Sequence, residues 1–441
     1  MHFRLVLAAL SLPVLLGAVA VPKASGDPAV NLQRYLHYQT DGTIDFTCKK
    51  RPHSYVCDAG AQRIEPEDAN ATATVAFGHL QIRFGDAVEV PLQKPAFGKT
   101  LEEIEKVEKQ MRRYLAADSG SDLIPPSSPR QDALDRALVG NLEHFDIKKL
   151  DIENSDPKSH ITIADVAFDN RMKKTAKGAA FSERIFGSLS LSYTDALIDA
   201  NDSESFYGTL PALLENWLGT HDEARAKYVG KRLETLYQTQ TQSPASGQIA
   251  VETAYLGNDR LSIDVKASEA NRLGSKAVFT LGGDIYNISS LFKPARKPMS
   301  MGTPDFLFRT MHLKIHTKGD DYRALLKKDK RFAGYIGEYT LLLRKRFDDA
   351  TTKFRSNPVL ADWFTQAKEA FSKAFEGKAD TFEMTVKNRS GVTAMQVFGM
   401  VMGQLMVMAP QQNAANASAP DEEKIIAETA AQNLDVTIRT Y

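Results

Sequence analysis

The 441 residues carry 55 Lys and Arg against 55 Asp and Glu, a formal net charge of zero, which argues against a nucleic-acid binder, whose affinity comes mostly from a basic surface. Apolar residues at 43 % and charged residues at 25 % exclude a disordered or collagen-like chain and leave enough hydrophobic side chains for a sizeable core. At ~100 to 200 residues per domain, the length fits two or three domains or one elaborated domain.

The first residues read as a secretory signal. Arg4 supplies the positive charge, Leu5 to Leu16 the apolar segment, and Ala18-Val19-Ala20 a cleavage site after Ala20. Pro13 and the shortness of the apolar run argue against a spanning helix, which needs about 20 residues. A periplasmic or secreted location follows as the expectation. The chain has two cysteines, Cys48 and Cys57, and an exported chain reaches compartments where disulfides persist. Strand-like residues on both sides of Arg51-Pro52-His53-Ser54 predict a hairpin. Centring its turn opposes Lys50 to Tyr55, Lys49 to Val56 and Cys48 to Cys57, so a structural disulfide is expected.

Stretches of linker composition at Asp118 to Arg130, Lys293 to Pro304 and Ala409 to Pro420 guide a provisional division. Residues 1–20 form the signal, 21–97 an N-terminal β-rich region with the disulfide hairpin, 98–292 a central α+β region and 293–441 a C-terminal α+β region. Alternating patterns predict strands over Thr72 to Val90, His160 to Phe168, Phe181 to Tyr193, Gln248 to Leu256, Leu261 to Ala267, Ala277 to Ile285, Phe306 to His316, Thr381 to Val386 and Leu434 to Tyr441. Gly257-Asn258-Asp259 is a hairpin turn signal, and Gly274-Ser275 is a second. Thr100 and Glu103 read as a capping box ahead of Leu101, Ile104, Met111 and Leu115. Phe206, Leu210, Leu213, Leu214 and Trp217 share one helix face, as do Val229, Leu233, Leu236 and Tyr237. Asn357-Pro358 is a cap before the stripe Leu360, Trp363, Phe364, Ala367, Phe371 and Phe375. Antiparallel strands joined by short turns, with amphipathic helices that must cover an apolar face, predict an α+β fold with the helices packed on one side of the sheet.

Catalytic signatures are missing from the sequence. Gly98-Lys99-Thr100 lacks the first glycine of a phosphate loop, no G-x-S-x-G elbow occurs, and the histidines show no H-E-x-x-H or comparable ligand cluster. His312 and His316 alternate with the apolar residues of a strand, which holds them ~13 Å apart and rules out a shared metal. No catalytic residue, metal ligand or cofactor is therefore assigned. Asn70 and Asn201 lie in the acidic sequons Asp68-Ala69-Asn70-Ala71-Thr72 and Asp199-Ala200-Asn201-Asp202-Ser203, candidates for bacterial N-glycosylation.

Between Val392 and Ala409 the chain has no charge and holds five of its 12 methionines. The segment is too short and too polar at Gln396 and Gln404 to span a bilayer, so no integral membrane span is expected in the mature chain. A core helix is the first reading; a wall for a hydrophobic ligand, with Met395, Phe398, Met402, Leu405 and Met406 as groove candidates, is the second.

Phe382 to Asn388, Gly391 with the apolar run behind it, a polar spacer and the closing strand Leu434 to Tyr441 resemble, over about 60 residues, the ending of large bacterial periplasmic proteins of uncharacterised function that are loosely similar to AsmA-like envelope proteins. The resemblance implies a long, curved antiparallel sheet and an envelope or lipid-handling role, with a lipid or an envelope protein as partner. It brings no catalytic motif. The expected function is therefore non-enzymatic binding of a hydrophobic ligand or a partner chain in envelope maintenance; the alternative is a periplasmic hydrolase with an unrecognised site. A long apolar cavity without convergent polar groups would favour the binder.

Overall fold

The computed structural model describes residues 21–65, 73–116, 128–155, 158–171, 187–200, 206–241, 243–288, 305–317, 319–393, 396 and 422–441. The fold is α+β, with ten helices and fourteen strands among the described residues, and every strand pair with a defined register is antiparallel. The chain forms two compact units, Met1–Asn170 with Leu191–Asp202, and Arg171–Ser190 with Ser203–Tyr441.

The first unit starts with α1 (Pro28–Gln39), capped by the Asp27 side chain, which accepts a hydrogen bond from the Ala29 N–H at 2.8 Å, with Pro28 in the first turn. Its strands are β1 (Thr47–Arg51), β2 (Ser54–Ala59), β3 (Gln62–Ile64), β4 (Ala73–Phe77) and β5 (His79–Gly85). The short α2 (Glu89–Leu92), α3 (Lys94–Ala116) and α4 (Pro129–Gly140) follow, then β6 (Leu142–Ser155) and β7 (Lys158–Asn170). Strands pair in the order β1-β2-β5-β6-β7, and β4 joins β3 to the far half of β6. Helices and strands share one core. Leu32, Tyr35 and Leu36 of α1, Tyr55 and Cys57 of β2, Phe84 of β5, Phe97 of α3 and Leu134 and Leu138 of α4 are all buried in it. Asn31 is buried as well, and its side-chain amide donates to the Leu92 carbonyl at 2.7 Å, which satisfies a polar group that burial would otherwise penalise.

The hairpin expectation holds residue by residue: Lys50 opposes Tyr55, Lys49 opposes Val56 and Cys48 opposes Cys57. The two cysteines are bonded, with Cα atoms 4.0 Å apart. Other expectations need correction. The predicted strand Thr72 to Val90 is broken at Gly78 and stops at Gly85, where the chain turns helical. Thr100 does not cap a helix, because α3 starts six residues earlier and the Thr100 hydroxyl donates to the Ala96 carbonyl at 3.1 Å inside it. The end of the first linker stretch is instead the start of α4, with Ser128 accepting from the Gln131 N–H and Pro129 in the first turn.

Strand β6 carries no simple alternation, which is why the sequence reading passes over it. Ile147 faces the core, Lys149 has a φ of +53°, and beyond it Leu150 and Ile152 take the core side. That break turns Asp151 and Glu153 outward together.

Strand β8 (Gly187–Ala200) is divided between the two units at Ser190. The second unit continues with α5 (Phe206–Leu218), α6 (Glu223–Thr241), β9 (Ala245–Gly257), β10 (Arg260–Asn271), β11 (Lys276–Tyr286) and β12 (Asp305–His316). Then come α7 (Asp320–Lys328), α8 (Lys330–Lys353), α9 (Pro358–Phe375), β13 (Thr381–Asn388), α10 (Glu422–Asn433) and β14 (Leu434–Thr440). Strands β9 to β14 pair in sequence order. Asn258 and Asp259, at φ +50° and +59°, make the two-residue turn that the Gly257-Asn258-Asp259 signal predicts. Asn357 accepts from the N–H groups of Val359 and Leu360, and Pro358 opens α9, also as expected. On β14, the outward Ile438 N–H donates to the Gln366 side chain of α9 at 2.8 Å, which covers part of an edge that would otherwise invite pairing.

At the shift in register between β11 and β12, Gly283 is the one residue that fits. A Cβ there would lie 2.5 Å from the Phe306 ring and 2.8 Å from the Leu307 carbonyl oxygen. Gly283→Ala is expected to cost about 1 to 3 kcal/mol through overpacking against backbone, measurable as a lower urea midpoint; an unchanged midpoint would show that β12 can move aside.

Candidate functional site

Four helices of the second unit line an open apolar cavity of ≈ 410 Å³. Helix α5 presents Leu210, Pro211, Leu214 and Trp217 to it, and α6 presents Val229 and Leu233. Helix α8 adds Ile336, Tyr339, Leu343 and Phe347, and α9 adds Phe371 and Phe375. The spacing of the α8 residues by three, four and four places them on one helical face, and the same holds for Leu210, Leu214 and Trp217. Aromatic rings make the walls firm: Phe347 stacks on Phe371 with centroids 6.0 Å apart and contacts Trp217 at the same distance. Among the described residues the rim is open, since Trp217 is 49 % exposed and Phe371 38 %.

Chemically the lining is one-sided. It contains no carboxylate, imidazole, thiol or serine hydroxyl, and its only polar side-chain groups are the Trp217 indole N–H and the Tyr339 hydroxyl, whose pKa burial pushes upward, so it stays protonated. Such a wall can hold hydrocarbon; it cannot position a nucleophile or move a proton in the ordinary pH range.

Behind Tyr339 lies a buried ionic clamp. The Arg225 guanidinium donates Nε to Glu215 Oε1 at 2.6 Å and Nη2 to Glu215 Oε2 at 2.9 Å, while Nη1 reaches Glu338 Oε2 at 2.7 Å. The same guanidinium lies over the Tyr339 ring, 5.0 Å from its centroid. Glu215 and Arg225 are both buried. Burial alone would raise the Glu215 pKa, but hydrogen bonds from Arg225, Thr220 and the Asp222 backbone outweigh it and hold it at about 2. With both charges paired and bidentate, the clamp fixes α5 to α6 and the latter to α8. It forms a rigid back to the cavity rather than a reactive centre.

The groove candidates Met395, Phe398, Met402, Leu405 and Met406 lie outside the described residues, as do the sequons at Asn70 and Asn201 and the signal segment 1–20. The cavity is built instead from helices whose amphipathic stripes the sequence displays, and the signal that could have located it was the number of aromatic residues on those stripes. His312 and His316 face neighbours on β13: His312 Nε2 lies 3.0 Å from Glu383 Oε1, and His316 Nδ1 lies 2.9 Å from Thr381 Oγ1. Gly98-Lys99-Thr100 is inside α3 and offers no phosphate loop. Among the described residues, one group of metal-ligating side chains converges, Asp151, Glu153 and His160 in the first unit, and no helix is long and apolar enough to cross a membrane. Comparison with known proteins adds no further constraint: no family model, no curated protein and no solved structure matches the chain.

Proposed function

We propose that this is an exported, periplasmic protein that holds the hydrocarbon portion of a lipid in the cavity between α5, α6, α8 and α9, and serves the cell envelope by binding rather than by catalysis. The observation that carries the reading is the ≈ 410 Å³ cavity with an apolar lining, a volume within the ~300 to 1,000 Å³ of small-molecule sites. Support for export comes from the signal-like residues 1–20 and from the bonded pair Cys48–Cys57, a bond that persists in oxidising compartments. The resemblance of the chain's ending to AsmA-like envelope proteins points the same way. A hydrolase reading finds no acid, base or nucleophile in the cavity.

The test is native mass spectrometry of the purified protein together with a titration of the apolar fluorophore N-phenyl-1-naphthylamine. A co-purifying lipid and saturable fluorophore binding are expected. Leu214→Trp and Leu233→Trp, which grow into the cavity from its half-buried wall, should weaken the fluorophore by about tenfold or more, the loss of roughly 1.4 kcal/mol of contact. Equal binding by both folded variants would sink the assignment of the ligand to this cavity.

A further inference from the structure

We propose that Asp151, Glu153 and His160 form a binding site for a divalent transition-metal cation on the outer face of the first unit, with Zn²⁺ the ion that the donor set fits. The site depends on register, not on sequence spacing. Glu153 of β6 lies directly opposite His160 of β7, and Asp151 lies two residues along the same strand on the same face. The break in alternation at Lys149 sets which face that is. One ring nitrogen of His160 and one carboxylate oxygen from each of Asp151 and Glu153 fall within 4.8 Å of one another, and His160 Nε2 is already 2.9 Å from Asp151 Oδ1.

The geometry suits a small dication. Tetrahedral Zn²⁺ with bonds of about 2.1 Å needs donors about 3.4 Å apart, a spacing between the 2.9 Å contact and the 4.8 Å limit, so side-chain rotation suffices and the strands need not move. One imidazole with two carboxylates favours Zn²⁺ and its late first-row neighbours over Mg²⁺ or Ca²⁺, which take all-oxygen sites. The ligands stand on paired strands rather than on a loop, so most of the ordering needed for binding is already made. The side chains of His160 and Asp151 are 45 % and 43 % exposed, which leaves a remaining coordination position open to water or to an added ligand.

Arg63 of β3 places Nη2 3.4 Å from Glu153 Oε2 while its Nε bonds Glu65 at 2.5 Å. The guanidinium therefore competes with the cation for Glu153, and removing it should strengthen metal binding.

Tag-free full-length protein, stripped of metal by chelation, is titrated with Zn²⁺ by isothermal calorimetry at neutral pH in a non-coordinating buffer. One saturable Zn²⁺ per chain is expected. His160→Gln and Asp151→Asn should each weaken it by more than about tenfold, at least the loss seen for residues that merely support a metal ligand. His79→Gln, whose imidazole lies 3.5 Å from Asp58 and outside the cluster, should leave it unchanged, and Arg63→Ala should bind more tightly. Absence of stoichiometric binding, survival of binding in both ligand variants, or no gain in Arg63→Ala would overturn the proposal. The fluorophore titration of the second unit reads a different cavity, so either proposal can fail alone.

Discussion

Replacing Arg225 by Ala is expected to cost about 3 to 5 kcal/mol of folding stability, because it strands a carboxylate in the interior of the second unit. Glu215 is 2 % exposed and takes two of its hydrogen bonds from that one guanidinium. Removing the cation leaves Thr220 and the Asp222 N–H to hold it. Both tryptophans, Trp217 and Trp363, belong to this unit, so their fluorescence in a urea titration reports its unfolding directly. Glu215→Gln combined with Arg225→Met should recover most of the loss, since two neutral side chains of similar size leave no charge to solvate. A single Arg225→Ala variant with the wild-type midpoint would mean that water reaches Glu215 and that the clamp is not a buried pair.

The same clamp sets an acid limit. Glu215 has its pKa depressed from the ordinary 4.5 to about 2, so the folded state binds the proton less readily than the unfolded chain. Its contribution is complete above about pH 4.5 and is lost as the pH falls toward 2, a total of roughly 3 kcal/mol. The urea midpoint read by tryptophan should therefore drop over that window in the wild type and drop less in the Glu215→Gln, Arg225→Met double variant. Parallel curves for the two proteins would assign the acid sensitivity to other carboxylates.

Loss of the disulfide is the second large effect. Cys48–Cys57 closes a short loop, with the cysteines 9 positions apart, and chain entropy assigns such a cross-link about 2.5 to 3 kcal/mol. Cys57 is fully buried beside Tyr55 in the core of the first unit, so Cys48→Ala with Cys57→Ala also removes packing there, and the total should approach 4 kcal/mol by order of magnitude. Thiol labelling of the wild type without reductant should modify neither cysteine. Stoichiometric labelling of either would show the pair reduced in its own compartment.

What could be read without the fold was local. The hairpin at Cys48 and Cys57, the Asn258-Asp259 turn and the Asn357-Pro358 cap each depend on residues within a few positions of one another, where dihedral preference and one hydrogen bond decide the outcome. The antiparallel, α+β character was equally legible, because short turns between alternating segments leave few other ways to pair. Strand β6 was not legible: the positive φ at Lys149 changes which residues face inward, and a period-two pattern cannot survive that change. Thr100 misled for a related reason, since a Ser or Thr with Glu three residues on marks a helix start only if the preceding residues are not already helical.

The sequence by itself determined the charge balance, the pairing of the two cysteines and the amphipathic stripes on Leu210, Leu214 and Trp217 and on Phe371 and Phe375. Tertiary structure alone decided what those stripes enclose. A stripe says that one face must leave water, and the hydrophobic effect is indifferent to whether the partner packs solidly or leaves ≈ 410 Å³ between four helices. It likewise decided that Glu215 meets Arg225, ten residues away across the connection between α5 and α6, and that Asp151, Glu153 and His160 converge. Directional contacts between side chains depend on the register and crossing of whole elements, and those are fixed only when the elements dock.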